Sequence, residues 1–142
     1  NHVIEHSENP IRCFETLLRV LKPDGVLFFA LPDKRFTFDR DRPVTPWAHV
    51  LRDYREGPEW SRMDHYREHL RLVEGLTDDA EIERRAVDIA ENGGDLHYHV
   101  WTQTEILEML VRMRLELGFP LEVEAVSKTG LELIGVVRKR SN

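Results

Sequence analysis

The sequence predicts an α/β fold in which a helix feeds an apolar strand, a helical insertion follows, and a helix with an antiparallel hairpin closes the chain. Three observations carry that reading. The first is Asn9-Pro10 leading into apolar residues at helical spacing, then into Val26-Leu27-Phe28-Phe29-Ala30-Leu31, apolar at every position. The second is a middle third with helical periodicity and no alternating strand. The third is a capped helix from Thr102, followed by a strictly alternating run and a second strand. With 142 residues, 41% of them hydrophobic and 32% charged, the chain suits one domain with a real core.

Taken in order, Ile11, Phe14, Leu17, Leu18 and Leu21 share one face of the first helix, and Lys22-Pro23-Asp24-Gly25 turns the chain. An unbroken apolar run such as 26–31 suits a strand buried on both faces of a parallel sheet. Residues 33–43 mix charges of both signs with Phe36 and Phe38, as expected of a loop over a cleft. Thr45-Pro46 has the form of an N-cap followed by proline at the first helical position. Trp47, Val50, Leu51 and Tyr54 then follow at helical spacing up to Gly57-Pro58. Met63, Tyr66, Leu70 and Val73 mark a second helix. Asp78-Asp79-Ala80-Glu81, an acidic variant of the capping box, opens a third that carries Ile82, Ala86 and Ile89 and stops at Gly93-Gly94.

The last third is an α/β unit. Thr102-Gln103-Thr104-Glu105 is a capping box, Ile106, Leu107, Leu110, Val111, Met113 and Leu117 form the stripe, and Gly118 with Pro120 closes the helix. Leu121 to Val126 alternates as a half-exposed strand does. Ser127-Lys128-Thr129-Gly130 turns it, and Leu131 to Val137 returns as a more deeply buried strand.

Net charge and cysteine content exclude several classes of partner. A formal charge of −6 argues against a surface for nucleic acid or anionic membrane, which concentrates Lys and Arg on one face. Cys13 is the single cysteine, so no intrachain disulfide or cysteine-cluster metal site forms; it reads as a small buried hydrophobe in a cytoplasmic protein. The longest apolar run ends after six residues, far short of a membrane span.

The block "HVIEH…NP…LLRVLKPDGVLFFALPD" resembles the class I S-adenosylmethionine-dependent methyltransferases, where such a segment runs from the end of the fourth strand through a helix into the fifth strand. The terminal helix, "GFPLEV" and "ELIGVVRK" resemble the closing helix and the sixth and seventh strands of the same family. The resemblance implies the later half of a Rossmann-like methyltransferase fold: a three-stranded remnant with a C-terminal antiparallel hairpin, and residues 34–95 as a helical cap insertion. The family's glycine-rich cofactor loop belongs before residue 1, and none occurs in the chain. The sequence therefore reads as the C-terminal part of a longer enzyme, inactive and without tight S-adenosylmethionine binding by itself.

The same resemblance implies the site. The loop after the fourth strand lies beside the cofactor in that family, which places Asn1 and His2 at the cofactor and His2, Glu5 and His6 on the wall of the reaction centre. Some ubiquinone-pathway O-methyltransferases carry a similar Glu-x-x-Glu-His group that binds a divalent metal; here His2 replaces the first Glu. Two imidazoles and a carboxylate suit zinc, iron or manganese, while the competing reading places Glu5 at the positive end of the first helix. The expected site has no metal. Seven histidines in 142 residues is a high count. His49 and Asp53 lie four apart on one helix face, and with Arg42, Thr45, His97 and His99 they are expected to line a pocket for a polar small-molecule acceptor, His49 serving as a base. His65 and His69, also four apart, read as a solvated or structural pair.

Two functions remain open at this point. One is O- or N-methylation of a small molecule in the full-length parent. The other is a non-catalytic remnant acting as a self-associating scaffold, because a strand at 26–31 without its fourth-strand neighbour offers an unpaired apolar edge and is expected to pair in a homodimer. Phe29→Lys is the substitution expected to disturb that pairing.

Overall fold

The computed structural model describes residues 1–141. Helix α1 (Pro10–Val20) leads to strand β1 (Val26–Pro32); α2 (Trp47–Glu56), α3 (Arg62–Leu72) and α4 (Asp79–Asn92) follow; α5 (Gln103–Leu117) and strands β2 (Leu121–Thr129) and β3 (Glu132–Lys139) complete the chain. The strands form one sheet in the order β1-β3-β2, antiparallel at both junctions. The α/β expectation and the terminal hairpin are both met.

Local chemistry explains the elements. The Asn9 side chain accepts the Arg12 N–H at 3.0 Å, and Pro10 occupies the first turn, where its missing N–H costs nothing. Ile11, Phe14 and Leu18 are buried on the face that the periodicity marks. Asp78 Oδ1 accepts the Glu81 N–H at 2.7 Å and starts α4. At α5 the Glu105 carboxylate accepts the Thr102 N–H at 2.9 Å while Thr102 Oγ1 accepts the Thr104 N–H at 3.3 Å, and Gly118 ends the helix in the left-handed region. The hairpin turns on Gly130 and Leu131, later than expected, so β2 runs on through Thr129.

Three expectations require correction. Strand β1 is not buried on both faces of a parallel sheet: it pairs only with β3, antiparallel, and Val26 and Phe28 are exposed while Phe29 and Leu31 are buried. All-apolar composition does not reveal how many faces are covered. Thr45 is not a side-chain cap of α2; its hydroxyl accepts the Val100 N–H at 3.1 Å and its own N–H donates to Val100 O at 2.9 Å. On α5, Leu107 and Val111 face solvent and Met109 is buried in their place.

The main core joins α1, α2, α5 and the inner face of the sheet. Phe14 meets Phe29 edge-on at 5.1 Å, and Trp47 and Val50 of α2 pack with Ile106, Leu110 and Met113 of α5. Helices α3 and α4 make a second, smaller cluster with Tyr66, Leu70, Ile82, Ala86 and Leu96. Residues 34–95 are thus anchored: α2 belongs to the main core, and α3 and α4 pack on each other.

Candidate functional site

Three histidines converge from different parts of the chain. His49 on α2, His65 on α3 and His99 in the segment between α4 and α5 bring one ring nitrogen each to within 4.8 Å of one another. His49 Nε2 and His65 Nε2 are 3.1 Å apart, so one ring donates to the other. Asp53, one turn after His49, is wholly buried beneath them, its Oδ2 at 3.5 Å from His49 Nε2 and 3.6 Å from His99 Nε2. Ser61 Oγ donates to Asp53 Oδ1 at 3.3 Å, whereas Oδ2 accepts no hydrogen bond. Burial sets the protonation of the group: it pushes Asp53 up to about 6, His65 down to about 4, His49 down and His99 well below its ordinary value. Trp60 stands 4.7 Å from the His49 ring and Trp101 stacks on His99 at 5.6 Å, fixing both imidazoles.

A pocket of ≈ 110 Å³ reaches this cluster, lined by Pro43, Val44, Thr45, Pro46, His49, His65 and Glu68. Of the pocket residues expected from sequence, His49 is partly exposed and Thr45 borders the cavity. Asp53 and His99 lie behind it, fully buried.

Arg42 and His97 belong to another buried network. Arg42 donates to Asp39 Oδ1 at 2.8 Å, Glu68 Oε1 at 2.7 Å, His97 O at 2.7 Å and Tyr98 O at 3.2 Å. His97 Nδ1 is 2.6 Å from Asp39 Oδ2. Burial alone would raise the Asp39 carboxyl, but the hydrogen bonds from His97 and Arg42 outweigh it and hold the group below its ordinary value. Arg42 engages four of its five N–H donors and joins the 39–42 loop to the 97–98 segment.

The N-terminal residues form a third arrangement at the carboxyl end of β1. His2 N–H donates to Ala30 O at 2.9 Å, and the residue takes a positive φ of 52°. Its Nε2 lies 2.6 Å from Glu132 Oε1, and its Nδ1 stands 3.3 Å from Glu5 Oε1 in a direction that makes no hydrogen bond. Both oxygens of Glu5 are buried without a hydrogen-bond partner. His2, Pro32, Thr37, Thr129, Leu131 and Glu132 line a groove of ≈ 420 Å³. His6 turns away from His2: its Nδ1 is 3.0 Å from Leu96 O, and its ring meets His97 at 4.8 Å. Glu5, His6 and His97 therefore form a second group with metal-ligand spacing, in place of the His2-Glu5-His6 set. Asn1 is exposed.

A family model described as a methyltransferase domain matches residues 1–77. The chain belongs to the methyltransferase-domain family. No curated protein and no solved structure gives a match. The matched span takes in α1, β1, α2 and α3, and hence His2, Glu5, His6, His49, Asp53 and His65; it stops short of His97 and His99.

For this methyltransferase-domain protein, the methyl donor is implied by the family. The passage from β1 into α2, residues 33–46, contains no glycine, so it is not a glycine-rich strand-to-helix turn of the kind whose backbone approaches a cofactor closely. These residues do not make the donor's cradle on their own.

Sequence reasoning missed three residues of these arrangements. Glu132 is 130 positions from His2 and reaches it only because β3 pairs with β1 in a register that sets Glu132 opposite Pro32. His65 is not solvated: it is buried and faces His49, while His69, also largely covered, keeps an unpartnered buried Nδ1. Asp39 was hidden in a run of mixed charge that reads as surface. Cys13, expected as a buried hydrophobe, is only partly buried against the core, and that burial raises its thiol. Among the described residues no helix is long and apolar enough to cross a membrane.

Proposed function

We propose that this chain forms the acceptor-side portion of an S-adenosylmethionine-dependent methyltransferase of Rossmann-like design, acting on an oxygen or nitrogen of a polar small molecule in the cytoplasm. The observation that supports it most is the His2 imidazole at the groove beside the end of β1, with Glu132 at 2.6 Å and buried Glu5 at 3.3 Å. With Nε2 held by Glu132, Nδ1 is the nitrogen left to take the proton from an acceptor hydroxyl or ammonium, once the ring turns it from Glu5 towards the groove. Glu132 orients the ring, Asn1 and His2 face the donor side, and Glu5 and His6 hold the loop from behind. His49 and Thr45 border the smaller pocket and recognise polar groups of the acceptor. Arg42, Asp53, His97 and His99 act through these residues, because they are buried and touch no open surface.

The test uses labelled methyl transfer in an enzyme assembled from this chain and a half that carries a cofactor loop. His2→Gln should lower kcat roughly a hundredfold, the scale of one general base, with the KM for the methyl donor unchanged. Unchanged kcat would remove His2 from the reaction. The 142-residue chain alone should bind S-adenosylmethionine weakly or not at all by calorimetry; a micromolar Kd would overturn that part.

A second reading, a self-associating module without catalysis, is favoured by one observation. The outer face of β1 leaves Val26 and Phe28 exposed, and alternation puts half-covered Ile134 and Val136 of β3 on the same side.

A further inference from the structure

We propose that His49, His65, His99 and Asp53 form a four-coordinate zinc-type metal site that staples α2, α3 and the segment before α5 together. The inference is independent of the His2 base, since it rests only on the geometry of these side chains; an ion bound through His49 Nε2 takes that nitrogen out of acceptor recognition.

Tetrahedral zinc with bonds of about 2.0–2.1 Å separates neighbouring ligand atoms by about 3.3 Å. The separations found are 3.1 Å for His49 Nε2 to His65 Nε2, 3.5 Å for His49 Nε2 to Asp53 Oδ2 and 3.6 Å for His99 Nε2 to Asp53 Oδ2. These three edges bracket the tetrahedral value and the three ring nitrogens all fall within 4.8 Å of one another; Asp53 stands beside His49 and His99 but outside that group, so its carboxylate must turn in to complete the set. Small movements of side chains would complete the polyhedron.

The hydrogen-bond inventory points the same way. Asp53 Oδ2 is a buried polar atom with no partner, and leaving such an atom bare costs about 1–3 kcal/mol. A cation between the rings would give Asp53 Oδ2 a partner. His99 Nε2 would give up only a long 3.3 Å contact with Glu8 O.

The surroundings supply the rest of the design. Ser61 holds Asp53 Oδ1, and Trp60 and Trp101 hold the His49 and His99 rings, the outer support that ligands need to keep their orientation. The pocket bordered by His49 and His65 gives an ion its entry path. Three imidazoles and one carboxylate, all from the protein, make a closed centre of the structural kind and suit zinc over magnesium or calcium.

Titrating the 142-residue chain with Zn(II) by calorimetry, and with Co(II) by visible absorption, tests the proposal. One equivalent should bind, Co(II) should show the intense bands of a tetrahedral site, and Zn(II) should raise Tm reversibly on chelation. His65→Gln and His49→Gln should weaken binding by at least about tenfold to a hundredfold, the loss seen when only an outer-shell partner is removed. His6→Gln, in the other cluster, should leave the affinity as it was. Should the ligand variants fail to fold, X-ray absorption of the Zn(II)-loaded wild type decides, with three imidazoles and one oxygen expected. No saturable binding, fewer than three imidazoles, or loss of affinity in His6→Gln alone would overturn the site.

Discussion

The ring of Phe29 on β1 lies across the bare backbone of Gly135 on β3, directly opposite it in the sheet register, and occupies the space a Cβ on Gly135 would need. The ring is also held from the helix side by Phe14, so it has nowhere to move. Gly135→Ala should therefore destabilise the protein by about 1–3 kcal/mol through overpacking. Chemical denaturation measures it, and Phe29→Leu in the same chain should recover part of the loss as a non-additive pair. Full additivity of the two substitutions would show that the ring is free to yield.

Asp39 gives the fold a defined acid sensitivity. Its carboxyl is held below the ordinary value of 3.8 in the folded state, so its contribution is fully present above that pH and is lost as pH falls through the lower folded value. Asp39→Asn would leave the Arg42 guanidinium buried with Glu68 as its remaining carboxylate. Breaking a buried pair costs about 3–5 kcal/mol, and Glu68 argues for the lower end. The stability gap between wild type and Asp39→Asn, followed by denaturation from neutral pH to acid, should narrow below about pH 4.

Thr102 starts the longest helix through a reciprocal cap with Glu105. Thr102→Ala should cost about 0.5–2 kcal/mol, and Thr102→Asn less, because asparagine restores the side-chain acceptor. Comparing the two by thermal unfolding separates the cap from simple loss of a methyl group.

That cap shows which features the sequence discloses. Asn9-Pro10, Asp78 and Thr102 act on backbone N–H groups two or three residues away, so short-range chemistry announces α1, α4 and α5 without any knowledge of packing. The hairpin is likewise local. By contrast, an apolar run reads the same with one face covered or two, and only the helices packed on one side of the sheet decide that Phe29 is buried and Phe28 is not.

The site follows the same division. Helical spacing pairs His49 with Asp53 correctly, because both ride on α2. For His65 and His69 it leaves a solvated and a structural role open, and burial decides for the second: α3 presents His65 to a ring 16 residues earlier, and His99 arrives from a loop. Glu132 and His2 meet through strand order, which periodicity does not encode.

The last prediction concerns association through the sheet. Val26 and Phe28 are exposed at 43% and 56%, whereas Phe29 is 3% exposed, so Phe29→Lys would place a charge in the core and report on folding instead of association. Phe28→Lys is the appropriate probe. Fully burying an aromatic or aliphatic side chain contributes about 1.5–3 kcal/mol, and a symmetric dimer buries each such residue twice. The edge is already partly blocked, because His2 N–H occupies Ala30 O. Association should therefore use the face bearing Phe28 more than backbone pairing along the whole strand. Sedimentation equilibrium should show a species heavier than 16.7 kDa for the wild type and a shift towards monomer in Phe28→Lys with an unchanged circular dichroism spectrum. A wild-type monomer at high concentration would exclude the self-associating reading and leave that face to another occupant.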